Sequence, residues 1–213
     1  MTDTLQSEFS RRLSEQPVVA ILRGITPAET EAVAAVLVEQ GFCLIEVPLN
    51  SPDPLTSIRL LAEKFGDQAL VGAGTVLTPA DVLAVQEAGG RMIVSPNTNP
   101  DVIRTTVENG LLSLPGFATP SEAFAAADAC AHGLKLFPAE GCAPHVLKAM
   151  KAVLPPDIPV LAVGGISDQN MADYWQAGAQ GFGIGSALYK PGRSAAEVKE
   201  AAIAFAAATA RLS

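Results

Sequence analysis

The 213-residue chain is poor in the residues that staple a fold, ligate metals or bind polyanions. It has three cysteines, Cys43, Cys130 and Cys142, and two histidines, His132 and His145. An odd, widely spaced cysteine set argues against a disulfide framework and fits a reducing compartment. Cys43 lies in an apolar run and reads as a buried small hydrophobe. With no His/Cys/Asp cluster, neither a metal site nor a metal cofactor is expected. Positive charge is also scarce. The 14 Lys and Arg are outnumbered by 22 Asp and Glu, for a net charge of −8. Such a surface repels nucleic acid, so no nucleic-acid partner is expected. An anionic substrate then needs a local positive site. No stretch has the length and apolarity of a membrane span, and the opening segment 1–16 lacks the apolar core of a signal peptide. The expectation is a cytoplasmic protein with no membrane partner.

What is present is apolar and regular. Hydrophobic residues make up 49% and charged residues 17%, the composition of a compact, enzyme-like domain. The length suits one domain, 1–213, near the lower end for a (β/α)8 barrel of roughly 200 residues and up. Short runs rich in Val, Ile and Leu alternate with Ala-rich amphipathic segments. Strands are expected at 17–22, 42–47, 69–71, 91–94, 111–114, 133–137, 158–163 and 181–184. Helices are expected to start near Thr26, Pro52, Pro79, Asn99, Thr119, Pro144, Ser167 and Ser194. Several starts pair a capping residue with proline, as in Thr26-Pro27, Thr78-Pro79, Asn99-Pro100 and Thr119-Pro120. Gly41, Gly66, Gly89, Gly110 and Gly178 stand where those helices should stop. Strands apolar on both faces imply a parallel sheet covered by helices. Eight evenly spaced units, with no G-x-G-x-x-G after the first strand, favour an α/β TIM barrel over a doubly wound sheet. The residues before Pro17 read as a short extra N-terminal helix that plugs the barrel.

Barrel chemistry sits at the C-terminal ends of the strands, so polar residues there are the candidates. Lys135 is the first. The other lysines fall on helical or terminal stretches, but Lys135 interrupts Gly-Leu-Lys-Leu-Phe-Pro inside the sixth expected strand. Desolvation there favours the neutral amine, the form that attacks a ketone; the plain alternative is a lysine that snorkels out or pairs with an acid. Glu46 is the second. It interrupts Ile-Glu-Val-Pro, and alternation puts it on the face of Leu44, opposite Ile45 and Val47. It reads either as a general acid/base or as one half of a structural ion pair with Lys135 or Arg23. Arg23, after the first strand, can hold a carboxylate or phosphate, or can simply be a surface arginine. Val163-Gly164-Gly165-Ile166-Ser167 and Gly183-Ile184-Gly185-Ser186 follow strands seven and eight, where barrels frequently bind phosphate. Gly72-Ala73-Gly74-Thr75 follows strand three, with Thr75 as a donor or the run as a tight turn. Pro96, in Val-Ser-Pro-Asn, and Phe137 are expected to wall the pocket. His132 and His145 read as surface residues, and Tyr174 and Trp175 as packing or subunit contacts.

The stretches Ala-Ile-Leu-Arg-Gly-Ile-Thr-Pro, Ile-Glu-Val-Pro-Leu-Asn-Ser-Pro, Val-Gly-Ala-Gly-Thr-Val-Leu, Val-Ser-Pro-Asn, Leu-Lys-Leu-Phe-Pro-Ala and Ala-Val-Gly-Gly-Ile carry a resemblance that runs over 18–189. The sequence resembles the keto-deoxy-phosphogluconate and hydroxy-oxoglutarate aldolase family, and within it the galactonate series. The resemblance implies a class I aldolase that cleaves 2-dehydro-3-deoxy-6-phospho-D-galactonate to pyruvate and D-glyceraldehyde 3-phosphate in galactonate catabolism. It implies a Schiff base on Lys135, proton transfer by Glu46, no metal, and a homotrimer. It places Arg23, Thr75, Gly165, Gly185 and Ser186 at the substrate, the last three at its phosphate. Val163 stands where the gluconate series carries Thr, and Asn50 where it often carries Arg; both favour the galactonate series. Ala139-Glu140-Gly141-Cys142 instead reads like the gluconate series. The same chemistry on the gluconate epimer or on hydroxy-oxoglutarate therefore stays open. More distant readings are a phosphate-binding barrel isomerase that forms no imine, and a silent barrel that binds a phosphorylated sugar acid.

Overall fold

The computed structural model describes residues 2–212. Nine short parallel segments form the sheet: β1 (Val18–Ile21), β2 (Leu44–Pro48), β3 (Leu70–Gly74), β4 (Met92–Val94), β5 (Leu112–Leu114), β6 (Gly116–Phe117), β7 (Leu134–Leu136), β8 (Val160–Val163) and β9 (Gly181–Ile184). Their order is β5-β4-β3-β2-β1-β9-β8-β7-β6. The two ends of that order, β5 and β6, are separated in the chain by Pro115 alone. Proline has no N–H to give to a ladder, so the strand breaks there. The Pro115 carbonyl still accepts the Lys135 N–H at 2.9 Å. β5 and β6 are thus two halves of one barrel position, and the sheet closes with eight positions. An open, doubly wound sheet is excluded. The single strand expected at 111–114 is corrected to this interrupted pair. Strand β3 also runs on to Gly74, past the expected stop at 71, because Gly72, Ala73 and Gly74 pair with Glu46, Val47 and Pro48 of β2.

Alternation along the strands sorts the apolar residues into two cores. Val19, Ile21, Leu44, Leu70, Met92, Val94, Leu112, Leu114, Leu161 and Val163 fill the barrel interior. Ile45, Val47, Val71, Ile93, Leu136, Ala162 and Phe182 face the helix layer. Helix α1 (Thr2–Glu15) closes the N-terminal end, sending Leu5, Phe9 and Leu13 into the interior set. The guanidinium of Arg12 fastens it there, bonding the Gln68 and Asp67 carbonyls and the Glu8 carboxylate. The mouth at the C-terminal end is left for chemistry.

The helix layer consists of α2 (Pro27–Glu39), α3 (Pro54–Phe65), α4 (Pro79–Glu87), α5 (Pro100–Glu108), α6 (Pro120–Asp128), α7 (Pro144–Lys151), α8 (Met171–Gln176) and α9 (Ala195–Thr209). Thr78, Thr119 and Ser194 close reciprocal capping boxes with Asp81, Glu122 and Glu197. Helix α8 begins at Met171, not near Ser167, because 167–170 form a turn held by the Asn170 side chain. Gly66 stays right-handed at φ −58°, so it is not a left-handed stop. No helix among the described residues is long and apolar enough to cross a membrane. His132 is half-buried rather than on the surface. Its Nδ1 accepts the Ser113 N–H at 3.0 Å, and burial pushes its pKa below the usual imidazole value.

Candidate active site

Lys135 is the central residue of β7, paired with Gly116 of β6 on one side and Leu161 of β8 on the other. That register points its side chain into the barrel, where it is 6% exposed. Its Nζ lies 4.9 Å from the centre of the Phe137 ring. Burial lowers its pKa from the ordinary lysine value; Arg23 pushes the same way and Glu46 opposes. Among the described residues no ion pair joins Lys135 to Glu46. A simple structural salt bridge is therefore not what holds either side chain.

Glu46 sits on β2 between β1 and β3, opposite Ile21 and Gly72, and is 1% exposed. It does lie on the face of Leu44, opposite Ile45 and Val47. Its Oε2 is buried without a hydrogen-bond partner among the described residues. Burial raises its pKa, while Lys135 and Arg23 pull it back down. Room for the carboxylate comes from Gly74: a Cβ there would stand 2.6 Å from Oε2. Glu46 and Lys135 share a small chamber of about 10 Å³ walled by Val19, Ile21, Val94, Leu114, Leu161 and Val163. That space is the size of roughly one water molecule. An uncompensated carboxylate in such walls is costly unless a ligand or water completes it.

Above this floor opens a larger cavity of about 170 Å³. Lys135, Phe137, Val163 and Arg23 line it together with Gly164, Gly165, Gly185 and Ser186. Gly164 and Gly165 turn left-handed at φ +102° and +68°, which a side chain would resist. The Asn170 amide latches this turn by donating to the Gly165 carbonyl at 2.8 Å. Across the cavity, Leu188 and Tyr189 both donate to the Gly185 carbonyl, closing a single helical turn. The backbone N–H groups of Gly165, Ser186 and Ala187 have no acceptor among the described residues. Free N–H groups at a turn favour an anion. The turn at 185–189 supplies two of them and the Gly164–Gly165 turn supplies the third; the start of α8 supplies none.

Arg23 is exposed at the rim and donates to Asn50 Oδ1 at 2.6 Å and to Thr75 Oγ1 at 3.5 Å. Thr75 has φ +56°, a backbone state that β-branched residues rarely adopt. Of the residues expected at the site, Asn50 and Thr75 thus meet the cavity through Arg23. Pro96 lines neither cavity; its backbone packs against Gly116 instead. Val19, Leu114 and Leu161 wall the chamber and Ser51 holds the Gly24 N–H, yet none of the four carries a distinguishing signal in the sequence. The first three read like any other strand residue, and Ser51 appears only within the Leu-Asn-Ser-Pro stretch that carries the family resemblance. Trp175 stacks on Phe182 at 6.2 Å, and the Tyr174 hydroxyl donates to the Ala139 and Cys142 carbonyls, so both serve packing.

The arrangement is that of a closed α/β barrel with a buried amine, a buried carboxylate and free backbone N–H groups around one mouth. Residues 9–202 match the family model described as "Aldolase: KDPG and KHG aldolase". The chain belongs to this family of class I aldolases, which are carbon–carbon lyases. It is 51% identical over 194 residues to the probable 2-dehydro-3-deoxy-6-phosphogalactonate aldolase of Rhizobium meliloti (strain 1021), covering 91% of this chain and 92% of that one. It is 47% identical over 189 residues to the 2-dehydro-3-deoxy-6-phosphogalactonate aldolase of Escherichia coli (strain K12), covering 89% and 92%. The solved "Native KDPGal structure" superposes with a TM-score of 0.92 at 45% identity, covering 93% of this chain and 96% of that one.

Proposed function

We propose that the barrel, as one domain over 1–213, is a class I aldolase acting on 2-dehydro-3-deoxy-6-phospho-D-galactonate. The observation that carries this reading is the buried amine of Lys135 beside the buried carboxylate of Glu46. The neutral amine attacks the C2 ketone, and loss of water gives an iminium ion. Glu46 takes the proton from the C4 hydroxyl. The C3–C4 bond breaks, its electron pair moves into the iminium to give an enamine, and D-glyceraldehyde 3-phosphate departs. Glu46 returns the proton to the enamine carbon, and hydrolysis frees pyruvate and Lys135. No metal enters these steps. The apolar walls keep stray water from the enamine.

In this reading the free N–H groups of Gly165, Ser186 and Ala187 receive the phosphate, and Arg23 with Thr75 receives the sugar-acid end. Val163 sets an apolar wall toward the hydroxyl that differs between epimers. The likeness of segment 139–142 to the gluconate series keeps a second substrate open. The Glu140 side chain, from the gluconate-like segment, packs against Gly165, its Oε2 2.8 Å from where a Cβ would stand. The gluconate epimer is therefore the alternative, and kcat/KM on each purified epimer separates the two. A cytoplasmic location fits the three unpaired cysteines and a soluble phosphorylated substrate.

The first test is borohydride trapping with pyruvate and peptide mass spectrometry. The expected outcome is a reduced adduct on Lys135; no adduct where a known imine-forming enzyme labels would sink the assignment. A homotrimer, as the family resemblance implies, should appear as three times the 21.9 kDa chain mass in light scattering. Exposed Leu77, Leu83 and Phe124 offer apolar surface for it. A monomer at micromolar concentration would remove that part of the proposal.

A further inference from the structure

Arg23 carries a formal charge at the rim, yet its side chain is exposed and would sample many rotamers if left alone. Two loops restrain it. The loop after β2 is pinned by Leu49 donating to the Gly74 carbonyl at 2.8 Å and Ser51 donating to the Pro48 carbonyl at 2.9 Å. From this loop the Ser51 hydroxyl, in a residue 8% exposed, accepts the Gly24 N–H at 2.9 Å. Gly24 is left-handed at φ +83°, and the Pro191 ring fills the place of its missing side chain at 2.7 Å. The backbone next to Arg23 is therefore held from two sides. Its guanidinium has only donors, so Asn50 must present its oxygen, and it does so at 2.6 Å.

We infer that Asn50 is a positioning residue: it holds the Arg23 guanidinium over the cavity so that the anionic end of the substrate meets an arginine already in place. The inference rests on the aldolase reading for its substrate, but the restraint itself does not. Asn50 is neutral, so it orients Arg23 without cancelling its charge. An acidic residue would orient the arginine equally well and compete with the substrate for it. Preorganising a binding group lowers the entropy lost on association, so the benefit falls on binding rather than on the bond-breaking step.

The test is a double-mutant cycle with Asn50→Ala, Arg23→Ala and the pair. Asn50→Ala should raise KM by roughly five- to tenfold, the worth of one ordinary solvent-exposed hydrogen bond, with the loss falling on KM rather than kcat. Arg23→Ala should raise KM at least as much. The double variant should be no worse than Arg23→Ala, because Asn50 acts only through that arginine. Additive effects, or an unchanged KM in Asn50→Ala, would overturn the inference. The second measurement needs no substrate: 15N relaxation at the Arg23 Nε of the full chain. Order should fall in Asn50→Ala and return in Asn50→Asp, while KM in Asn50→Asp stays raised because its charge competes. Unchanged Arg23 order in Asn50→Ala would also overturn it. If the parent protein forms no pyruvate adduct, the aldolase reading fails separately, and the relaxation result still decides whether Asn50 holds Arg23.

Discussion

Replacing Lys135 with methionine is expected to abolish carbon–carbon cleavage, leaving less than about one ten-thousandth of the parent turnover. Methionine keeps an unbranched, apolar stem against Phe137 and Val163, so the barrel core loses its amine without a large cavity. Folding is checked by circular dichroism, and turnover by pyruvate release in a coupled assay. Turnover within a hundredfold of the parent would show that no covalent step passes through this side chain. The same assignment sets a pH dependence. Attack needs the neutral amine, and burial lowers the Lys135 pKa. Activity of the parent should therefore rise with pH through an ionisation below the ordinary lysine value of about 10.4. The sign carries over to stability. The folded state disfavours the ammonium, so this residue's penalty is fully felt at low pH. It shrinks as pH climbs through the folded-state pKa toward the unfolded one.

The expected fold agrees with the structure where local signals dominate. Thr78, Thr119 and Ser194 cap helices because the cap and its partner acid lie three residues apart, a distance visible in the chain. The barrel was legible because Val/Ile/Leu runs recur at even spacing, and α1 reads as a plug because it precedes the first strand. What was not legible depends on distant partners. The break at Pro115 closes the barrel only because β4 and β7 accept its two halves. Gly72 to Gly74 looked like a loop because two glycines rarely sit in a strand. They are strand because they pair with Glu46, Val47 and Pro48 of β2, and the glycine at 74 leaves room for the Glu46 carboxylate. Half-burial of His132 follows from Ser113, 19 residues away. At the site, Lys135 and Glu46 stood out because a charge inside an apolar strand has few benign explanations. The apolar floor of Val19, Leu114 and Leu161 did not, because nothing distinguishes those residues from the rest of the core. Arg23 was visible as a candidate, but its hold by Asn50 joins positions 27 residues apart and has no local signature.

Glu46→Gln should separate imine formation from bond cleavage. Glutamine keeps the shape beside Gly74 but can neither take the C4 hydroxyl proton nor return it to the enamine carbon. Loss of a positioned acid/base should lower kcat by about 10²- to 10⁴-fold. Pyruvate trapping on Lys135 should survive, because the amine is still present. Its pH dependence should also move in a defined direction. The Glu46 carboxylate favours the ammonium form of Lys135. Removing that charge leaves burial and Arg23 to act alone, so the Lys135 pKa falls further and trapping begins at lower pH. Cleavage collapsing while trapping persists and shifts toward acid is the signature of a proton carrier beside an intact nucleophile. If cleavage and trapping were lost together in a folded protein, Glu46 would be needed to build the amine site rather than to move protons. If cleavage persisted within about tenfold of the parent, another group or a bound water would have to carry the C4 proton.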